Sequence, residues 1–472
     1  MAGVIGRARC GRFVCRRIAK NVFPCSARIV RETGSQKERE TSVMRRFGGS
    51  SLCLALALAF SVIVAPTRAR ADITFYDKNG WSIYTNGLVA AHYQIMVGDA
   101  DPNTNHGVLV GGLFLDAGAK DPRDNSLILS RVRSGFIGSQ IGFGVNRQIS
   151  EKVHVTSLLA VSLNDIASSR GQSPVKDVDF REAWAALESP YGTFKFGRMF
   201  SIFGSASGEV VLLAYRYALG SPCFAELPTI GCASVGAGPI FAGFDAQMRY
   251  ITPPSLGGFE LQLAVSDPDK ASDFYVMTPY PRVDAQASFE RKFGPVNLRI
   301  VTQGLWEEIQ GVNQTNTLQR AEVWGGMGSA ILRLGGLSLG AGGWTGAGLG
   351  TRTVLEVGTN DTSKPLTFGG ANKELRIFRG YYGNLAYDYQ GSALAVGAGI
   401  IYVRPVISAP GKDDDDPTGN NVLAQQSEAH VVFTQQLDTI VLTAEYMRWH
   451  ELWHFGETRD LNFGGVGANF YW

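Results

Sequence analysis

His450-Glu451-Leu452-Trp453-His454 is a literal H-E-x-x-H. On a helix, positions i and i+4 share a face, and two imidazoles there can hold a hydrolytic zinc ion. This copy follows Ile440-Val441-Leu442-Thr443-Ala444-Glu445-Tyr446, which reads as a strand, so the motif falls at the strand's end and in the loop beyond. In extended chain the two histidines stand on the same side but roughly 13 Å apart, too far to share a metal. The chain has six His, no Gly-x-Ser-x-Gly and no nucleophile beside a plausible base. Neither enzyme chemistry nor a cofactor or metal is therefore expected. Lys412-Asp413-Asp414-Asp415-Asp416-Pro417 reads as a solvated loop tip. Bridging of divalent cations to anionic lipid is the alternative.

The N-terminus is separable from the rest. Met44-Arg45-Arg46 is a basic n-region and Leu52 to Ala65 an apolar h-region. Ala69-Arg70-Ala71 fits the small-x-small cleavage pattern, so 44–71 is expected to be a signal peptide and Asp72 the first mature residue. Residues 1–43 read as an over-extended start, with a transit peptide as the alternative. Residues 1–71 hold 14 of the 44 Lys+Arg but only 3 of the 42 Asp+Glu, so the remaining 401 residues carry a net charge of −9. The basic balance of the whole chain belongs to the leader, and a nucleic-acid partner loses its support. Four of the six cysteines leave with it. Cys223 and Cys232 remain, nine apart, in a stretch rich in Gly, Ala and Ser. In an oxidising compartment the two are expected to form a disulfide, with two thiols as the alternative. Closing about ten residues is worth roughly 2–3 kcal/mol in the chain-entropy model.

Beyond the leader, apolar and polar residues alternate. Phe259, Leu261, Leu263 and Val265 interleave with Glu260, Gln262 and Ser266; Val283, Ala285, Ala287 and Phe289 with Asp284, Gln286, Ser288 and Glu290. Period two over about ten residues is the mark of strands with lipid on one face and water on the other. Sixteen segments are expected as strands: 81–97, 127–143, 152–164, 178–188, 193–199, 241–252, 258–267, 282–293, 296–308, 320–334, 337–346, 374–389, 393–404, 425–437, 440–450 and 460–472. Short turns such as Gly294-Pro295, Gly335-Gly336 and Asp438-Thr439 alternate with long loops. That is the pattern of a transmembrane antiparallel β-barrel with turns at one rim and loops at the other. An even count removes the sheet's edges. The longest of these loops, 200–240, is a Gly-, Ala- and Ser-rich stretch read as structureless. A connection of that length needs a role, and it is expected to fold into the lumen.

Several stretches resemble the general bacterial porins of Gram-negative outer membranes. Arg181-Glu182-Ala183-Trp184-Ala185-Ala186-Leu187, followed by Gly192-Thr193-Phe194-Lys195-Phe196-Gly197-Arg198, resembles the hairpin before their constriction loop. Met248-Arg249-Tyr250 with Pro254-Ser255-Leu256-Gly257-Gly258-Phe259 is similar to the strand and turn after it. Tyr76-Asp77-Lys78-Asn79-Gly80 leading into Ile83-Tyr84 resembles the family's first strand. The ending Asn469-Phe470-Tyr471-Trp472 resembles the signal that barrels present to their assembly machinery, with Trp where Phe is usual.

The resemblance implies an outer-membrane channel for passive diffusion of small hydrophilic solutes and ions. It implies a homotrimer among lipid and lipopolysaccharide, and a constriction where wall arginines face loop carboxylates. Arg133 and Arg181 match wall arginines. The third wall position falls near Phe241 and Ala242, with no basic residue; Arg131 and Lys195 are the candidates to compensate. The loop offers Glu209 and Glu226. A substrate-selective channel for sugar, phosphate or basic solutes would instead carry a stack of lumen aromatics or a basic ladder, for which Trp184, Trp324 and Trp344 are candidates. A non-pore adhesin is the reading from another class.

Overall fold

The computed structural model describes residues 72–99, 126–135, 139–163, 178–215, 234, 236–240, 242–253, 257–268, 280–312, 318–349, 368–369, 374–375, 377–404, 423–453, 456 and 458–472. The strands are β1 (Ile73–Lys78), β2 (Trp81–Asp99), β3 (Ser126–Arg133), β4 (Ser139–Ser150), β5 (Val153–Leu163), β6 (Val178–Ser189) and β7 (Gly192–Phe200). One helix, α1 (Ser205–Tyr215), comes next. Then follow β8 (Phe244–Ile251), β9 (Phe259–Ser266), β10 (Arg282–Phe293), β11 (Val296–Val312), β12 (Leu318–Leu334) and β13 (Leu337–Ala347). The last are β14 (Ile377–Tyr389), β15 (Ser392–Val403), β16 (Leu423–Leu437), β17 (Ile440–Trp453) and β18 (Thr458–Tyr471). A two-residue ribbon, Phe368–Gly369 with Glu374–Leu375, lies apart from this sheet.

All ladders are antiparallel, and the sheet closes where β2 pairs with β18, Leu88 opposite Tyr471 and Gly98 opposite Leu461. β3 and β4 both pair with β2, Arg133 opposite His92 and Gln140 opposite Leu88, so they are two parts of one wall strand. β1 lies along Trp81–Thr85, below the stretch that β18 covers, and prolongs the line of β18. Counted this way the barrel has sixteen strands, as the alternation predicts. Several boundaries differ. The expected strand 127–143 breaks after Arg133 and resumes as far as Ser150. The expected loop at 309–319 shrinks, because β11 runs to Val312 and β12 starts at Leu318. Glu451 to Trp453 belong to β17 rather than to a loop.

The outer face is an apolar belt. Val89, Ile95, Phe143, Leu159, Met248, Leu261, Leu263, Ile300, Leu339, Leu385 and Val396 are all exposed. Aromatics gather at its two margins. Trp81, Tyr191, Tyr250, Phe259, Phe293, Tyr389 and Phe470 lie near the short turns, and Tyr93, Trp306, Trp324, Tyr381 and Tyr402 toward the long loops. A hydrocarbon layer flanked by two interfaces selects for this arrangement. No helix among the described residues is long and apolar enough to cross a membrane.

Candidate functional site

The first part of 200–240 is not structureless. Ala206, Val210 and Ala214 repeat at i, i+4, i+8, and Ser207, Val211 and Tyr215 form the adjoining stripe; all six are buried. An apolar face this wide makes an eleven-residue helix only when something receives it. The receiving surface is the side of the sheet opposite the exposed belt. Phe203, Ala206, Val210 and Ile240 pack with Val301, Leu305, Val323, Met327, Ile331, Trp344, Phe378, Tyr382, Ile401 and Val403. On β11 to β15 both faces are therefore apolar, one toward lipid and one toward the loop.

Polar contacts fix the same segment. Gly204 N donates to Gln303 Oε1 at 3.0 Å, and Gln303 Nε2 donates to Ser205 Oγ and Gln286 Oε1, both at 2.7 Å. Arg299 holds Glu209 in a fork, Nε to Oε2 at 2.7 Å and Nη2 to Oε1 at 3.0 Å, and reaches Glu290 at 3.3 Å. Asn384 Nδ2 donates to Val210 O at 3.1 Å. Trp344 Nε1 donates to Gly238 O at 2.7 Å. Gly238 has φ +139°, and a Cβ there would stand 2.6 Å from Gly399 Cα. Glycine at both positions lets backbone lie directly on backbone.

The far end of the helix meets β16. His430 Nδ1 lies 2.8 Å from Glu428 Oε2 and 3.1 Å from Ser234 Oγ, and its Nε2 lies 2.7 Å from Asn384 Oδ1. The Tyr215 ring sits 5.6 Å from the imidazole. Burial, with the Glu445 and Glu428 carboxylates beside it, pushes the Tyr215 phenol well above its ordinary value.

The root of the loop is charged. Arg282 bridges Asp245 at 2.6 Å and Asp284 at 2.8 Å and donates to Ser201 Oγ at 2.9 Å. Ser201 Oγ donates to Asp245. Arg249 donates to Phe200 O at 2.5 Å and to Gln247 Oε1 and Gln262 Oε1. Lys195 Nζ lies 3.3 Å from the Trp184 ring centroid, and Trp184 Nε1 donates to Glu182 at 3.2 Å.

The residues singled out in the sequence fall as follows. Arg181 is buried, its guanidinium 5.8 Å from the Phe244 ring. Phe244 in turn packs against the cluster that Val211, Ala214 and Tyr215 form with Ala386, Ala395 and Val432. A bulge between β5 and β6 sets four residues, Asp179 to Glu182, against three, Ser162 to Ala160, which buries Arg181 and Glu182 in succession. Arg131 and Arg133 stand opposite Gln94 and His92, and their side chains lie outside the described residues. Glu226, Cys223, Cys232 and His454 lie outside them as well. Glu451 is buried against Arg459 at 2.6 Å, so its carboxylate is held by an arginine. Among the described residues no cluster of His, Cys, Asp and Glu could hold a metal. Of the candidate aromatics, Trp324 belongs to the outer face and Trp344 is buried under the loop; Trp184 remains on the inner wall. Sequence reasoning missed Arg249, Arg282 and Arg299. They sit on polar positions of the alternating strands, but nothing local tells a wall charge that grips the loop from one in open water.

A closed sixteen-stranded barrel with a lipid-facing belt and a charged inner wall defines an outer-membrane channel. A family match across residues 55–434 agrees, and the chain belongs to the Gram-negative porin family. Two solved structures share the fold. The outer membrane channel DcaP of Acinetobacter baumannii aligns with a TM-score of 0.58 at 14% identity, over 86% of this chain and 100% of that one. The anion-selective porin from Comamonas acidovorans aligns with a TM-score of 0.52 at 9% identity, over 83% and 100%. No curated protein sequence matches the chain.

Proposed function

We propose that this porin admits small hydrophilic solutes and ions by passive diffusion past a constriction made by 200–240. The observation that carries this reading is the seating of α1 on the inner wall through Arg299, Gln303 and Asn384. A loop fixed there narrows the lumen without closing it. In the constriction, Arg133, Arg181, Arg131 and Lys195 form the basic wall, and Glu209 and Glu226 are the loop's carboxylates. Glu209 contributes less, because Arg299 neutralises it at short range. The balance favours anions weakly; fixed charges in a narrow passage act with little screening. No enzyme activity or cofactor is part of this reading. Conductance steps of the purified protein in planar lipid bilayers test it, and a protein that inserts without conducting would overturn it.

The surrounding assignments follow the same reading. Mature protein begins at Asp72 after removal of 44–71, with 1–43 lying upstream of the true start. Cys223 and Cys232 form a bridge that staples the constriction loop. The C-terminal strand is presented to the barrel-assembly machinery, and three barrels associate among outer-membrane lipid and lipopolysaccharide. Mass spectrometry of non-reduced protein from outer membranes reads these points. A chain starting before Met44, two thiols, or a monomer under native conditions would each remove the corresponding assignment.

A further inference from the structure

We propose that the inner wall at the long-loop mouth of the barrel holds a binding subsite for an uncharged polyhydroxy solute, a small sugar or polyol. Its centre is Arg459 on β18. Trp449, Glu451 and Trp453 on β17, and Arg459, Leu461 and Phe463 on β18, have the opposite parity to the exposed Tyr446, Val466 and Phe470, so they stand on the inner face. Gln426 on β16 lies opposite Glu451, and Glu451 opposite Arg459. Arg459 Nε donates to Glu451 Oε2 at 2.6 Å; Glu451 Oε1 accepts from Gln426 Nε2 at 3.1 Å and from Trp449 Nε1 at 3.2 Å. One side of the guanidinium is thereby fixed. Its other edge, Nη1 and Nη2, has no hydrogen-bond partner among the described residues, and neither has Gln426 Oε1. Arg459 and Gln426 are both buried. The guanidinium carbon lies 5.9 Å from the Trp453 ring centroid.

Buried polar atoms are nearly always paired, and one left without a partner costs free energy. Here two donor nitrogens and one acceptor are left over around a single saturated carboxylate. Charge decides what they take. Arg459 and Glu451 offset each other at 2.6 Å, and Glu428 is the next residue on the same face of β16, opposite Trp449. A carboxylate or phosphate would bring an unbalanced negative charge into a buried site, a cost that outweighs two hydrogen bonds. A cation would be repelled by the guanidinium. Adjacent hydroxyls of an uncharged ligand can accept from the Nη pair and donate to Gln426 Oε1, while a sugar's apolar ring face suits an indole. Met96, Met447, Trp449, Leu461 and Phe463 form the apolar ground beside the polar group, and Ala237 of the constriction segment packs in the same cluster, so the subsite adjoins the passage. Through its ladder partner Glu451, Arg459 stands eleven residues above Ile440 at the short-turn rim. At about 3.3 Å per residue and a tilt near 40°, that is roughly 28 Å, so a solute from outside meets it before the constriction. The proposal rests on the porin reading above and names a substrate class for it.

The test is binding of glucose to the full chain in detergent, read by tryptophan emission, together with glucose-induced block of the current in planar bilayers. Wild type is expected to respond to millimolar glucose in both. The Glu451→Gln, Arg459→Gln double variant removes the two charges together and leaves side chains of similar length. It should bind glucose roughly tenfold more weakly or worse, since the paired donors are lost. Arg459→Lys keeps the charge but not the planar fork, and should lose a comparable share. It also serves if the double variant does not fold, which heat-modifiable gel mobility reads. Benzoate, an anion with a flat apolar body, should not displace glucose. Wild type that conducts without responding to glucose would overturn the proposal. So would an equal response in the folded variants, or displacement of glucose by benzoate. Wild type that conducts nothing even without glucose would instead overturn the porin reading, so the two failures are distinguishable.

Discussion

His430 and Arg299 hold the two ends of the loop helix in different ways. Arg299 grips Glu209 where both are partly wet, with side chains 18% and 28% exposed, so the pair contributes position more than stability, about 1 kcal/mol or less. His430 is buried and engages Glu428, Asn384 and Ser234 at once. Replacing it with alanine removes the imidazole contacts of Glu428 Oε2 and Asn384 Oδ1 in a site that water enters poorly. The expected cost for His430→Ala is about 1–3 kcal/mol. It should appear as a lower unfolding temperature and as faster proteolysis in 200–240, with the barrel still folded. Unchanged protease sensitivity would mean that the loop is held without this cluster.

At the scale of elements, α1 and the wall it rests on were chosen together. Wall glycines make the seat. A Cβ on Gly340 would stand 2.5 Å from Leu213 Cδ1, one on Gly325 2.5 Å from Phe203 Cζ, and one on Gly399 2.2 Å from Ala237 O. The first two meet side-chain ends that can shift, whereas the third meets backbone. Gly399→Val is therefore expected to lift the 237–240 segment from β15 while β15 itself keeps its ladder, since valine suits a strand. Single-channel recordings should show a changed, noisier conductance, and heat-modifiable mobility should remain. Conductance identical to wild type would show that this segment does not border the passage. The stripe Ala206, Val210, Ala214 is present in the sequence, inside a Gly-, Ala- and Ser-rich stretch that reads as structureless. Helical propensity alone does not form so short a helix; a wall three or more strands away in sequence does.

The whole molecule is closed by its two ends. Gly87 N donates to Trp472 O at 3.1 Å, and the Trp472 ring covers Gly87, where any Cβ would collide with it at 2.1 Å. Phe470 stacks on the same ring at 5.9 Å. The aromatic ending thus has a structural task in the finished barrel besides the assembly role proposed for it. Ion preference is also a property of the whole barrel, because it sums charges from many strands across one passage. Neutralising two wall charges in Arg133→Ala, Arg181→Ala should shift the reversal potential in a salt gradient toward cation preference. Because Arg181 is buried, its loss is expected to lower the unfolding temperature as well, with the barrel still folded. Arg181 is the stricter test, because it is buried beside Phe244. An unchanged potential would put the filter elsewhere, with Arg249 and Lys195 the next residues to examine.

The sequence by itself determined the barrel. Period-two alternation is a local property, each strand repeats it, and turn residues such as Gly294-Pro295 and Asp438-Thr439 punctuate it, so sixteen strands could be counted before any pairing was known. It misjudged where a strand breaks, as after Arg133, and how far one runs, as at Trp453, because pairing partners set those limits. Only the tertiary structure decided what the inner wall does. Val301, Val323, Ile331 and Ile401 read as apolar residues out of phase with a watery lumen until α1 and Ile240 are seen to cover them. Arg299 and Arg282 read as solvated lumen charges until Glu209 and Asp245 arrive from about 90 and 40 residues away in the chain. Burial and ion pairing across such separations depend on which surfaces the closed sheet brings face to face, and alternation along a strand carries no record of that.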